Sequence, residues 1–411
     1  MIPLDEARRY VLAGCHPRPG VETPLSRCLG LVTAAGAVAG EAVPSFANTA
    51  MDGYAVRAAD VASAPVTLRV VGTVRAGMSG VDSPVGPGEA ARIMTGAPVP
   101  PGADAIVRVE LTEGAPDSDS VIVRAAVPEG NHVRPVGDDV EPGDHVVGVG
   151  AVLTPGHLGL LATVGVRALK VVPRPRVGVI STGDELVDDG APLGPGQIRD
   201  SNRLTLLSLV AESGFEAVDL GLVRDDEDAI EAALRGGVAR CDALVTSGGV
   251  SMGDFDFVKV VLDRIGDMRW MQIAIKPAKP LAFGTVTRAS DGTPVPIFGL
   301  PGNPVSSMVS FELFCRPGLR RLAGHGDADL DRPAVLGIVD EQLDRRPDGK
   351  IHFARVACRY DGATGTYRVR SAGAQGSHHM AAMAAADALA ELPDGDALEV
   401  GSTVRVRPLR P

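Results

Sequence analysis

A chain of 411 residues, 45% apolar and 22% charged, has material for roughly two to four domains with cores of their own, and this composition excludes a disordered polypeptide. Lys and Arg total 40 against 51 Asp and Glu, a formal charge of −11, and only 3% of residues are aromatic, so the basic stripe and stacking aromatics of a nucleic-acid binder are missing. Cys15, Cys28, Cys241, Cys315 and Cys358 are scattered without a C-x-x-C pair, and neither a signal peptide nor a run of membrane-spanning length is expected, which points to a soluble cytoplasmic protein with no disulfide framework or thiolate metal site.

Leu4, Ala7, Tyr10 and Val11 recur at helical spacing behind Pro3, which predicts an amphipathic helix over 3–13, and an alanine-rich pattern predicts a second over 26–39. Short β-type runs at 66–74, 90–94, 105–111 and 120–125 then alternate with Gly/Pro turns, as in a small all-β domain over 48–138. Thr154 and Pro155 are the N-cap and first residue of a helix ending near Gly165, and Pro173-Arg174-Pro175 marks a boundary.

From Arg176 strands at 177–180, 217–223 and 243–246 alternate with helices at 201–213 and 225–239, the signature of βαβ units and a parallel sheet. Beyond a helix starting at Asp256 the connections shorten. Strands at 270–275, 281–287 and 294–298 must then pair antiparallel, so the sheet is mixed. A helix behind Pro304 ends near Arg321, residues 324–331 are a linker, and β runs at 334–339, 351–358, 366–370 and 403–406 form a small C-terminal β domain.

The chemistry centres on residues 241–257, CDALVTSGGVSMGDFDF. An apolar strand running into Ser247-Gly248-Gly249-Val250-Ser251 has the local form of an anion cradle, with glycines admitting close backbone approach. Asp254 and Asp256 would repel such an anion unless a hard cation such as Mg²⁺ stood between them. The alternative for this stretch is a glycine-rich connector whose acids cap the next helix.

Three more polar loops follow strands of the same sheet: 181–186 with Asp184 and Glu185, 276–280 with Lys276, Lys279 and Pro280, and 301–306 with Gly302, Asn303 and Ser306. Ligands of open α/β sheets bind outside the carboxyl ends of the strands, so the four loops share one rim, with Asp225 following the strand at 217–223. Two glycine-rich N–H cradles, two proline-held lysines and the carboxylates Glu185, Asp225 and Asp256 make a site for phosphate-anhydride or oxyanion chemistry. Each acid also suits a helix N-terminus taken singly. The eight histidines lack metal-ligand spacing, and neither G-x-G-x-x-G after a strand nor G-x-x-x-x-G-K-[ST] occurs, which disfavours dinucleotide reduction and ordinary kinase chemistry.

NTAMDGYAV, RIMTGAPVP, VGDDVEPGD, GVISTGDELV, IRDSNRLTL, LVRDDEDAI, LVTSGGVSMGDFDFV, IKPAKPLAFG and FGLPGNPVSS, and more loosely GAQGSHHMAAMAAADALAELP, span nearly the whole chain. By these segments the sequence resembles the molybdopterin molybdenumtransferase family, whose relatives include the E domains of the plant enzyme and of gephyrin. The resemblance implies an α/β multidomain fold: a discontinuous helical/β first domain (1–47 plus 139–173), an inserted β domain (48–138), a mixed-sheet α/β molybdopterin-binding domain (174–325) and a C-terminal β barrel (326–411).

It also implies an elongated homodimer whose cleft lies between the α/β domain of one subunit and the first two domains of its partner. There, adenylylated molybdopterin and molybdate would react with Mg²⁺ to give molybdenum cofactor and AMP. Carried over by motif, Glu185, Asp225 and Asp256 handle Mg²⁺ and anhydride cleavage, Asp52, Thr95 and Asp139 complete the cleft, and Ser247, Gly248, Gly249 and Ser251 hold the pterin phosphate or AMP. Lys276, Lys279 and Ser306 hold molybdate, Pro280, Gly302 and Asn303 are further substrate-binding residues, and Arg355 and Ser377 are oxyanion contacts; Asp138 stands where the family usually carries glutamate. The implied partners are a molybdopterin adenylyltransferase and molybdoenzyme-maturation proteins. A tungsten-inserting variant and a carrier or scaffold without turnover are the rival readings, and the intact acids and lysines argue against the second.

Overall fold

A computed structural model describes residues 1–115, 118–249 and 257–409. The first helix, Leu4–Ala13, starts behind Pro3 and buries Leu4, Ala7 and Val11. It packs on the distant α/β core: Tyr10 meets Phe283 edge-on at 6.0 Å, and Arg8 pairs with Asp331 at 2.7 Å.

The helix expected over 26–39 does not form. A 3₁₀ turn, Leu25–Arg27, is followed by the short strands Val32–Thr33 and Ala37–Val38. Their partners, Ala168–Val172 and His145–Val147, come more than 100 residues later. Alanine's helix preference is worth only a few tenths of a kcal/mol per residue over ordinary residues. Strand pairing and burial of Leu31, Val32 and Thr33 outweigh it here.

The β region follows the sequence pattern closely. Its six-stranded sheet runs in the order Ala105–Arg108, Gly53–Val56, Glu89–Ile93, Val66–Val74, Ser120–Val123, Thr112–Glu113. Tyr54, Val56, Leu68, Ala90, Val107 and Val121 form one side of its core. The helix Pro155–Thr163 begins with the expected Thr154 cap, closed reciprocally by the His157 side chain.

The α/β sheet is mixed, in the order Glu216–Val223, Arg176–Thr182, Ala243–Ser247, Pro294–Leu300, Pro280–Thr287, Asp267–Gln272. The first four strands are parallel, and the last two pair antiparallel across short turns. Alternation along the central strands divides the core between two faces. Val177, Val179 and Val245 face the helix Ser201–Glu212 and the segment from Pro304, whereas Leu244 and Ile297 face Glu227–Arg240 and Phe257–Ile265.

The helical segment behind Asn303 is continuous but irregular: Pro304–Ser310 passes through a π turn, Phe311–Cys315, into Arg316–Leu322. Five strands, Val335–Val339, Ile351–Asp361, Thr366–Ser371, Ala388–Leu392 and Thr403–Pro408, close into the C-terminal barrel, because Ala388–Leu392 pairs with both Ile351–Asp361 and Thr403–Pro408. Ile275–Lys276 adds to the barrel beside Ile351 and His352, so one loop of the α/β sheet is stitched directly to it.

Candidate functional site

The site forms where four parallel strands end. After Ala243–Ser247 the chain turns through Gly248 and Gly249, at φ +91° and +70°, left-handed backbone that only glycine adopts without strain. A Cβ on Gly248 would lie 3.2 Å from the Thr182 carbonyl, so the turn sits directly on the neighbouring strand end. The Gly248 N–H donates to the Leu300 carbonyl at 3.1 Å and is therefore committed to the sheet, which removes one donor from the expected cradle. Ser251 and Asp256 lie outside the described residues.

Beside this turn, Asp184 and Glu185 follow Arg176–Thr182, and Asp225 follows Glu216–Val223. Neither Asp184 nor Glu185 caps a helix, since the loop continues into Leu186–Val187, which pairs with Ile198–Arg199. Asp226 caps Glu227–Arg240 by accepting from the Ala229 N–H at 2.9 Å, so Asp225 is left for another purpose. Burial, then the negative charges of Asp184 and Glu185, push the Asp225 carboxyl above the usual carboxylate range. Neighbouring like charges of this kind attract a cation. Among the described residues, no three acids, histidines or cysteines group closely enough to hold a metal ion.

The loop after Pro294–Leu300 supplies the opposite wall. Asn303 occupies the N-cap position without a side-chain cap bond, Pro304 is the first helical residue, and Ser306 is buried. The Val305 N–H donates to the Ser377 carbonyl at 3.2 Å, which brings the barrel loop carrying Ser377 onto this helix start. Arg355 lies beneath that loop and is almost wholly buried. Its Nη2 donates to the Ala374 and Gly376 carbonyls at 2.9 and 3.1 Å, while its Nε is buried without a partner. The guanidinium thus fastens the Ser377 loop.

Lys279 lies on the turn that leads from the barrel-paired Ile275–Lys276 to the sheet strand beginning at Pro280. The Lys279 carbonyl accepts from the Ile273 N–H at 2.8 Å, and buried Ala278 adopts φ +73°. These constraints set the direction of the turn while both lysines stay exposed. Lys276 opens onto a cavity of about 570 Å³ whose wall also carries Arg345, His352, Arg355 and Gln375.

In the N-terminal half, Asp52 and Thr95 are joined as the motifs imply. Asp52 Oδ1 accepts from the Thr95 hydroxyl at 2.6 Å and the Thr95 N–H at 2.7 Å, and these two bonds hold its carboxyl below the usual range. Asp139 is exposed, its N–H donating to the Val43 carbonyl at 2.9 Å. Among the described residues no hydrogen bond or ion pair joins these three to the α/β rim of the same chain.

Replacing Thr95 by valine should therefore move the Asp52 titration upward. The stability contributed by this contact is present above the unfolded carboxylate pKa and lost as pH falls through the depressed folded value. Carboxyl NMR titration over about pH 2–6 reads this directly; an unmoved titration would show that the hydroxyl does not hold the charge.

Three residues outside the motif-based site assignment organise the rim. Asp200 accepts from the Ser181 hydroxyl at 3.1 Å and the Arg203 N–H at 3.1 Å, and Arg203 Nε pairs with it at 3.0 Å. Asn202 Nδ2 donates to Ser247 Oγ at 2.8 Å and to the Gly302 carbonyl at 2.7 Å. A polar residue just inside a helix N-terminus, on a helix packed against the sheet, was the available signal.

Comparison with known proteins covers this whole arrangement. Residues 2–165 match the model of the MoeA N-terminal region (domain I and II), 178–321 a probable molybdopterin binding domain, and 345–409 the MoeA C-terminal region (domain IV). The chain is 40% identical to molybdopterin molybdenumtransferase 2 of Mycobacterium tuberculosis, over 99% of both chains, and 37% identical to the molybdopterin molybdenumtransferase of Haemophilus influenzae, over 99% of this chain and 98% of that one. The solved molybdopterin biosynthesis moea protein of Pyrococcus horikosii superposes with a TM-score of 0.81 at 31% identity, covering 100% of each chain.

Proposed function

The chain belongs to the molybdopterin molybdenumtransferase family, and from that premise we propose that it inserts molybdate into adenylylated molybdopterin with release of AMP. Its place in molybdenum cofactor biosynthesis follows from the family. The observation that carries the finer reading is the crowding of Asp184, Glu185 and Asp225 beside the Gly248-Gly249 turn, at the carboxyl ends of parallel strands.

Negative charge gathered where a phosphate anhydride is to be held calls for a bridging cation, and Asp225, Glu185 and Asp256 are the residues proposed to hold Mg²⁺. When bound, Mg²⁺ supplies neutralising charge to the anhydride oxygens. The serine-glycine turn of Ser247, Gly248, Gly249 and Ser251 positions a substrate phosphate. Lys276, Lys279, Pro280, Gly302, Asn303, Ser306 and the Ser377 loop surround the molybdate, with Arg355 keeping that loop in place. Water then attacks the anhydride, a new P–O bond forms as the bridging P–O bond breaks, and AMP leaves as the phosphate monoester while the pterin keeps its own phosphate.

The domain division implied by the motifs, 1–47 plus 139–173, 48–138, 174–325 and 326–411, is part of this proposal. So is a homodimer, in which Asp52, Thr95 and Asp139 face the rim of the partner subunit. It is supported by the lack, among the described residues, of a same-chain link to the rim and by exposed Leu204 and Ile198, 71% and 53% accessible beside it. No helix among the described residues is long and apolar enough to cross a membrane. A cytoplasmic location, and supply of substrate by a molybdopterin adenylyltransferase with delivery to molybdoenzyme-maturation proteins, complete the reading.

Incubation of the purified protein with adenylylated molybdopterin, Mg²⁺ and molybdate or tungstate tests it. Molybdate-dependent AMP release with equal metal insertion is expected; tight pterin binding without AMP would favour a carrier, and preference for tungstate a tungsten-inserting enzyme. Lys279→Ala should raise the molybdate concentration needed for half-maximal AMP release about tenfold, the scale of one charge-assisted contact. An unchanged dependence would place the oxyanion elsewhere.

A further inference from the structure

We infer that Asn202 is a positioning residue for the substrate phosphate: it turns the Ser247 hydroxyl into a donor and locks the serine-glycine turn to the Gly302 loop. The inference rests on the reading that this turn holds the substrate phosphate. Its geometry is independent of that reading.

The orientation of the Asn202 amide follows from its neighbours. A backbone carbonyl only accepts, so the atom 2.7 Å from the Gly302 oxygen must be Nδ2. The same nitrogen lies 2.8 Å from Ser247 Oγ, and its two hydrogens serve the two contacts. Ser247 Oγ is therefore an acceptor on the Asn202 side, and its own hydrogen points away from Asn202. A buried serine held in this way offers a donor to an anionic oxygen at the turn.

Asn202 is itself well anchored. It is the second residue of Ser201–Glu212, whose cap, Asp200, also holds the Ser181 hydroxyl. A Cβ on Gly302 would lie 3.9 Å from the Gly248 Cα, so the two loops that Asn202 joins already run in contact. One helix start therefore sets the spacing of the strand ends after Thr182, Ser247 and Leu300.

The test compares Asn202→Ala, Asn202→Asp, Ser247→Ala and the double variant Asn202→Ala/Ser247→Ala, using the full chain with adenylylated molybdopterin, molybdate and Mg²⁺. Asn202→Ala should raise KM for adenylylated molybdopterin about tenfold or more, with a smaller change in kcat and an unchanged thermal midpoint. The double variant should fall well short of the product of the two single effects, since Asn202 acts largely through Ser247. Asn202→Asp keeps the shape but loses the donors when ionised. Protonation restores one O–H donor, so its activity relative to wild type should rise as pH falls toward about 4, whereas that of Asn202→Ala should not.

Independent, multiplying effects in the double variant, or a normal KM in Asn202→Ala with Ser247→Ala impaired, would overturn the role of Asn202. Normal KM in Ser247→Ala would instead overturn the assignment of the turn to the phosphate, and the inference with it. A pH-independent Asn202→Asp defect would show that the amide only supports the local fold.

Discussion

Replacing Asp225 by asparagine is expected to lower turnover about 10²–10⁴-fold, equivalent to several kcal/mol of lost charge stabilisation, while the protein stays folded. Asp225 lies two residues beyond the strand Glu216–Val223 and one before the aspartate that caps the next helix, so its side chain has no capping duty. Its carboxyl is pushed up by burial and by the charges of Asp184 and Glu185. An acid raised in the folded state stabilises the fold below its unfolded pKa, and that stability is lost as pH rises through the folded value. At neutral pH the ionised Asp225 is thus a burden on the fold. Asparagine removes the burden, and the thermal midpoint should be unchanged or higher.

Loss of activity with retained or increased stability is the signature of a group held in place for chemistry. AMP release assayed beside thermal unfolding separates the outcomes. Normal turnover would remove Asp225 from the mechanism, and lost turnover with a lower midpoint would mark it as structural.

The largest stability effect is expected at Glu312, in the π turn behind the helix that carries Ser306. Arg316 Nε and Nη2 donate to its two carboxylate oxygens at 2.8 and 3.0 Å, and Arg332 Nε reaches the same carboxylate at 3.3 Å. Glu312 and Arg316 are 8% and 6% exposed. Glu312→Ala should destabilise the protein by about 3–5 kcal/mol, because it strands a buried guanidinium without its counter-charge.

A paired exchange of Glu312 and Arg316 for leucine and methionine should restore much of that loss, since it removes both desolvated charges together. Chemical denaturation of the single and double variants checks both statements. A single variant as stable as wild type would show that water or Glu212, which Arg332 already contacts at 2.8 Å, takes over the charge.

Much of the architecture is written locally in the chain. The apolar run of Ala243–Ser247, the capping aspartates before Ser201–Glu212 and Glu227–Arg240, and the short turns around Pro280–Thr287 each depend on neighbouring residues. A sheet assembled from such units leaves its polar loops at the carboxyl ends of the strands, so the rim and the loops that form it were legible in the sequence. The motif segments added the family.

Other features depend on residues remote in sequence. Residues 26–39 read as a helix because alanine favours one locally, but Val32–Thr33 and Ala37–Val38 within them are strands because Val171–Val172 and His145–Val147 pair with them. Asp225 and Asp226 are chemically identical neighbours, separated only by which of them meets the Ala229 N–H. Asn202 reaches partners 45 and 100 residues away. Arg355, an oxyanion contact by motif, proves to hold the loop that carries Ser377. Periodicity, capping and turn chemistry act over a few residues and are determined by sequence alone. Strand partners, carboxylate crowding and the choice of hydrogen-bond acceptor depend on which distant groups the packed chain brings together, so only the tertiary structure decided them.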